Sequence, residues 1–191
     1  FAGLLGLILG IIMVVTDRGR ILENKVVYSI LDKITNIFRS IPFVILLALV
    51  APFTRFIVDT RIGPKAAIVP LVVSCVPFFA RQVEQALAEV DPGVIEAAEA
   101  MGKSPFEIIT SVYLREGLPN LIRAGSITLI SLLGLTAMAG LIGGGGIGDL
   151  AISVGYNRYK DDVVLVSVAL ILLVVFIIQA IANYLIRKTK H

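Results

Sequence analysis

Five stretches of at least 15 residues carry no charged side chain, and they set the outline of the chain: residues 1–16, 40–54, 66–80, 124–148 and 163–186. The last, 24 residues long, is long enough as a helix to cross a hydrocarbon layer of ~30 Å at ~1.5 Å per residue. The second and third are shorter. Phe56, Ile57 and Val58 extend one, and Val83, Ala86 and Leu87 the other, while the flanking arginines snorkel to the interface. The first stretch is too short to span and opens on Phe1, so it reads as the second half of a helix that begins before this sequence. A signal peptide fits it less well, because it has no basic leading segment and no small-residue cleavage site before Asp17. The pattern predicts an all-α polytopic membrane protein with five transmembrane helices, forming a single domain over residues 1–191.

Composition narrows the chemistry. Hydrophobic residues make up 57% of the chain and charged residues 16%, too apolar a balance for a soluble domain of this size. The single cysteine, Cys75, has no partner for a bridge, and the single histidine, His191, is the last residue. A His-based zinc site or a Ser-His-Asp triad is therefore not expected, and no metal is expected. Of the 17 lysines and arginines, 12 fall on one side if the first connection is cytoplasmic, which puts the N-terminus outside and the C-terminus in the cytoplasm. Those basic residues are spread over separate loops, so they read as topological anchors and not as a nucleic-acid surface. No ionisable residue lies deep in a run, which weighs against a proton- or ion-coupled transporter.

Within the runs, Pro42 and Pro52 in the second helix and Pro70 and Pro77 in the third predict kinks. Thr136, Gly140 and Gly144 recur at four-residue spacing in the fourth, as do Gly6 and Gly10 in the first. That spacing suits close helix packing, either within the chain or against a second copy. The long connection between the third and fourth helices carries start and stop signals for two short helices. Asp91 and Pro92 begin the first, and Val94, Ala97, Ala98 and Met101 fall on one face before Gly102 ends it. Ser104 and Glu107 form a capping box for the second, which Gly117 and Pro119 end. A small-residue face beside Glu96 suits the close approach of a partner's backbone; from spacing alone, a helix pair that merely covers the bundle fits equally well.

Glu96-Ala97-Ala98, then Gly102, then Leu118-Pro119 resembles the EAA motif of ABC-importer permeases, the membrane subunits of binding-protein-dependent uptake systems. Asn36 to Phe43, Ala67 to Leu71 and the glycine-rich 143–148 resemble the methionine-uptake branch of that family. Arg115 stands where that branch usually has proline. The resemblance implies that Glu96, Ala97, Ala98, Gly102, Leu118 and Pro119 couple the chain to a cytoplasmic ABC ATPase dimer. It also implies a bacterial inner-membrane location, a second copy of the chain and an extracytoplasmic methionine-binding (lipo)protein. The chain itself would bind no cofactor, ATP and Mg residing in the ATPase, and solute transport would follow alternating access. Ser131, Thr136 and Met138 are the residues assigned to the translocation path.

Other motifs do not compete. The GxGxxG spacing within residues 143–148 follows a membrane run and not a strand, so it is no dinucleotide site, and no P-loop is present. The glycine run is either a tight external turn or a helix end near the path. Asp161 and Asp162 suit the start of a helix by its dipole, and Gln179 and Asn183 sit one turn apart in the last run. A permease for another small solute, or a channel or secondary transporter without nucleotide, are the competing functions.

Overall fold

The computed structural model describes residues 1–189; Lys190, counted above among the inner basic residues, and His191 lie outside them. Every regular element among the described residues is helical. In chain order these are α1 (Ala2–Thr16), α2 (Lys25–Ser40), α3 (Phe43–Leu49), α4 (Ala51–Val58), α5 (Pro64–Ala88), α6 (Pro92–Ala100), α7 (Pro105–Ile108), α8 (Leu114–Glu116), α9 (Leu118–Ala139), α10 (Gly146–Asp149) and α11 (Asp161–Thr189). A π-helical turn, Ile109–Tyr113, joins α7 to α8, and another, Leu150–Gly155, follows α10. By length and composition, α5, α9 with its 3-10 extension to Ile142, and α11 are able to cross a membrane; α1 is apolar but shorter.

The run 40–54 is not one helix. Ile41 leaves the helical region at φ −80°, ψ 121°, Pro42 caps α3, and the helix breaks again at Val50 before Pro52 enters the first turn of α4. A residue before proline is pushed out of the α region by the ring, so Pro42 ends α2 instead of bending it. Conversely α5 continues unbroken through Pro70 and Pro77.

The run 124–148 also divides. The helix starts earlier, at Leu118, with Pro119 in its first turn, where a missing N–H costs nothing. It ends at Ile142, where Gly143 turns left-handed at φ +70°. The chain then folds back so that Gly148 packs on Ala137 and Gly140 on Asp149, both too closely for a Cβ. Gly144 lies equally tight against the Ala139 carbonyl. These glycines serve the reversal within the chain.

Two apolar clusters sit at opposite ends of α5. At one end Phe43, Leu46, Leu47, Ala67 and Ala139 join α3, α5 and α9. At the other, Val14 and Val15 of α1 and Val83 and Leu87 of α5 pack with Ile95, Ala98, Ile108, Val112 and Tyr113 of the α6–α8 segment. Gly6 and Gly10 let α1 lie directly on α5. A Cβ at Gly10 would meet the Val83 side chain at 2.5 Å and the Ala80 carbonyl oxygen at 2.6 Å.

Candidate functional site: the α6–α7 connection

Local rules build this element. The Asp91 carboxylate accepts from the Gly93 N–H at 2.8 Å and Pro92 takes the first turn, so α6 starts where the chain leaves α5. At its end Gly102 adopts φ +75°, and the Lys103 N–H reaches back to the Ala98 carbonyl at 3.2 Å. The left-handed residue reverses the chain, as at other helix C-termini. The capping box then forms: the Glu107 N–H donates to Ser104 Oγ at 3.4 Å, and the Ser104 N–H to Glu107 Oε2 at 2.8 Å. Hydrogen bonds from Ser104 hold the Glu107 carboxyl below the usual carboxylate range.

The predicted face of α6 divides in two. Ala98 is 1% exposed and faces inward with Ile95, onto Leu87, Ile108 and Tyr113. Val94, Ala97 and Met101 face out, as does Glu96, and Met101 is 70% exposed. Phe106, at the start of α7, is also exposed, at 74%. Ala98 is therefore a spacer between α6 and the bundle, while Glu96, Ala97 and Met101 present a surface. Leu118 and Pro119 do not close this segment; they open α9. Gly117, at φ −77°, is in ordinary helical conformation, and a Cβ there would meet the Leu87 side chain and the Tyr113 carbonyl oxygen at 2.6 Å. Arg115 lies in α8, so the second short helix runs on almost without interruption into α9.

Polar contacts fix the end of α5, from which this element departs. An Arg20 guanidinium nitrogen donates to the Ala88 carbonyl at 3.0 Å, and Asn120 Nδ2 to Glu89 Oε2 at 2.7 Å. Tyr113 is fully buried, and that burial pushes its phenol up.

A charged network beside it was not anticipated from the sequence. Arg81, with a side chain 12% exposed, donates to Glu84 Oε2 at 2.7 Å, to Asn36 Oδ1 at 3.1 Å, and to Asp32. Tyr28 donates to Glu84 Oε1 at 3.0 Å, and its phenol is pushed up to about 12, first by burial and then by the Glu84 carboxylate. Tyr28, Asp32 and Asn36 stand one turn apart on α2, opposite Arg81 and Glu84 on α5. The spacing was visible as a polar stripe on an amphipathic helix; its partner, 49 residues on, was not.

Of the residues assigned to a path, Ser131 lines a cavity of about 350 Å³ with Ser74, Cys75, Thr128, Arg39 and Phe78. Thr136 and Met138 are not among its lining residues: Thr136 Oγ1 donates to its own helix at Leu133, and Met138 is exposed. Asp161 and Asp162 occupy the first turn of α11, opposite Arg187 and Lys188 in its last.

The family model for "binding-protein-dependent transport system inner membrane component" matches residues 4–191. The probable D-methionine transport system permease protein MetI of Vibrio cholerae is 44% identical over 187 residues, 98% of this chain and 83% of that protein. The methionine import system permease protein MetP of Bacillus subtilis is 48% identical over 172 residues, 90% of this chain and 78% of that one. Among solved structures, a chain of the MetNI methionine ABC transporter in an inward-facing conformation superposes with a TM-score of 0.94 at 43% identity, covering 100% of this chain and 90% of that chain. A chain of an amino acid ABC transporter, at 17% identity and a TM-score of 0.74 over 98% of this chain and 86% of that chain, shares the fold.

Proposed function

The chain belongs to the family of binding-protein-dependent transport system inner membrane components, and we propose that it is the translocation subunit of an ATP-driven methionine importer. The observation that carries the reading is the outward face of α6, with Glu96, Ala97 and Met101 held rigidly beside left-handed Gly102. It occurs in a chain 44% identical to a probable D-methionine permease over almost its full length. A permease subunit is not itself the ATPase; ATP and Mg belong to a separate ABC ATPase dimer.

In this reading α1, the broken α3–α4 segment, α5, α9 and α11 are five spans, and the α6–α8 segment is the cytoplasmic loop between the third and fourth. The excess of basic residues on that side supports an external N-terminus and a cytoplasmic C-terminus. Two copies enclose the path, since one bundle of five helices leaves little room for a gated pathway. An external methionine-binding (lipo)protein delivers the solute.

Glu96, Ala97 and Gly102 form the docking surface. Ala98 sets its height from beneath, and Leu118 and Pro119 lead the motion into α9. When the ATPase dimer closes, the docked loops approach each other and the bundles rotate as rigid bodies from inward- to outward-facing. Ser131, which lines the cavity of about 350 Å³, is a residue of the path. Thr136 with Gly140 and Gly144 shapes the outer end of α9, near Met138.

Uptake of labelled methionine by cells lacking their own methionine importers tests the reading, with this chain, its ATPase and its binding protein co-expressed. Uptake that requires ATP hydrolysis is expected. Its absence with all three subunits present discards methionine, and a different transported solute would then identify a permease of the same class.

A further inference from the structure

Two grooves open side by side on the flank of α5, α9 and α11, at the end of the bundle that carries the α6–α8 loop. One is about 130 Å³ and is lined by Gln82 and Gln85 of α5 and by Arg123 of α9. The other is about 270 Å³ and is lined by Arg123 and Ser126 of α9 with Gln179 and Asn183 of α11. Arg123 and Ile127 border both, so they form one continuous surface. Each helix contributes its polar residues at a three- or four-residue spacing, which places them on a single face.

That surface lies on helices able to cross a membrane. Gln179 is ten residues before Thr189, and Ser126 is eight after Leu118, which sets them ~15 Å and ~12 Å from those helix ends. Groups at such depths pass beyond the headgroup layer, and amides there are unfavourable against hydrocarbon. Elsewhere α11 behaves differently: Leu172, Leu173, Phe176 and Ile177 line a purely apolar groove suited to lipid tails.

We propose that the Gln82–Arg123–Gln179 face is a hydrated wall of the inward-open path, turned toward the second copy and away from lipid. This deepens the transport reading and rests on it. Water fills the face when the path is open to the cytoplasm, and the two copies close over it when ATP drives the opposite state.

The test uses the full-length chain assembled with its ATPase in vesicles, in a Cys75→Ala background. Single cysteines replace Ser126 and Gln179 on the polar face, and Leu173 and Ile177 in the apolar groove. A membrane-impermeant, negatively charged methanethiosulfonate probes each. Without nucleotide, Ser126→Cys and Gln179→Cys should react at least about tenfold faster than the apolar pair, because only a hydrated thiol ionises to the reactive thiolate. Trapping the ATPase with ATP and vanadate should slow both polar-face sites and leave the apolar pair unchanged. Rates as slow as those of the apolar pair overturn the proposal, since the face is then covered by lipid or protein. Fast rates that ignore trapping overturn it too, since they mark simple exposure at the headgroup level. ATP-driven methionine uptake by the wild-type complex, with the binding protein supplied to the same vesicles, is read separately: its absence removes the transport reading, whereas uptake with slow or unchanging labelling removes only the hydrated wall.

Discussion

Replacing Gly102 isolates backbone strain from crowding. The residue sits at φ +75°, yet a Cβ built there meets nothing within 4 Å. The crowding that a bulky residue would suggest is therefore absent, and the whole cost is the left-handed backbone, ~1–2 kcal/mol for an ordinary L-residue. Asparagine, whose short side chain tolerates that region, should cost least, alanine more, and valine most through its branched Cβ. The turn sheds that strain by relaxing, which swings α7 away from α6 and spoils the presented surface. A penalty of 1–2 kcal/mol corresponds to a factor of ~5–30 in an equilibrium, and that is the expected loss of affinity for the ATPase along the series Asn, Ala, Val. Membrane insertion and dimerisation should be unchanged, because the buried contacts of Ile95 and Ala98 lie on the opposite side of α6. Titration of detergent-solubilised permease with purified ATPase measures the affinity, and ATP-driven uptake the consequence. If all three variants bind as wild type does, the turn is not part of the docking geometry and the reasoning fails.

Glu96→Lys reverses a charge on the same exposed face and should abolish uptake and ATPase association, with normal membrane levels; Lys160→Glu, in the turn before α11, should be tolerated. Retained uptake in Glu96→Lys would reduce α6 to ordinary surface structure. Gly10→Ala forces a Cβ to within 2.5 Å of Val83 and should destabilise the bundle by ~1–3 kcal/mol through overpacking, read as a lower unfolding temperature in detergent. Arg81→Gln leaves Asp32 and a Glu84 side chain only 8% exposed without their cation. A loss of ~3–5 kcal/mol is expected, as for other buried pairs broken on one side. Adding Asp32→Asn to Arg81→Gln should recover part of it, and strict additivity in that cycle would show that the network carries no coupling.

What the sequence made legible follows the range of each interaction. The α6–α7 connection rests on neighbours within four residues: Asp91 over Gly93, Ser104 with Glu107, Gly102 in the reversal. All of it could be read from residue type and spacing. Which way α6 faces could not, because Ala97 and Ala98 are chemically identical and only the cluster around Tyr113 decides which one is buried. The uncharged runs located the apolar segments, but absence of charge says nothing about continuity. Ile41 and Pro42 break one run, and Gly143 folds another back on itself. The Arg81 network lay beyond local rules because α2 and α5 meet only in three dimensions; Arg81 alone looked like a topological anchor.

The site and the fold are joined through α5. Val83, Leu87 and Val90 hold the α6–α8 element at one end of this region, and Ser74, Cys75 and Phe78 line the cavity of about 350 Å³ further along. From Ser74 to the end of α5 at Ala88 the helix rises ~21 Å without a break. A push on α6 is received by Ile95 and Ala98, passes to Leu87 by direct packing, and must then move α5, α1 or both. Gly10, in contact with Val83 and Ala80, makes α1 and α5 move together, and the ion pairs of Arg81 bind α2 to the same body. The helix breaks at Ile41–Pro42, directly beyond α2, and the cavity is lined on both sides of that break, by Phe38 and Arg39 before it and by Pro42 and Phe43 after it. In the transport reading, a push on α6 therefore reaches the cavity through α5 and α2 moving together, against the residues beyond the break and Thr128 and Ser131 of α9. Gly102 stands apart from the glycines at close contacts: at Gly10 between α1 and α5, at Gly148 in the Gly143 reversal and at Gly117 against Leu87 a Cβ would come to 2.6 Å or less from a neighbour, whereas Gly102, on the surface proposed for docking, has open space around it.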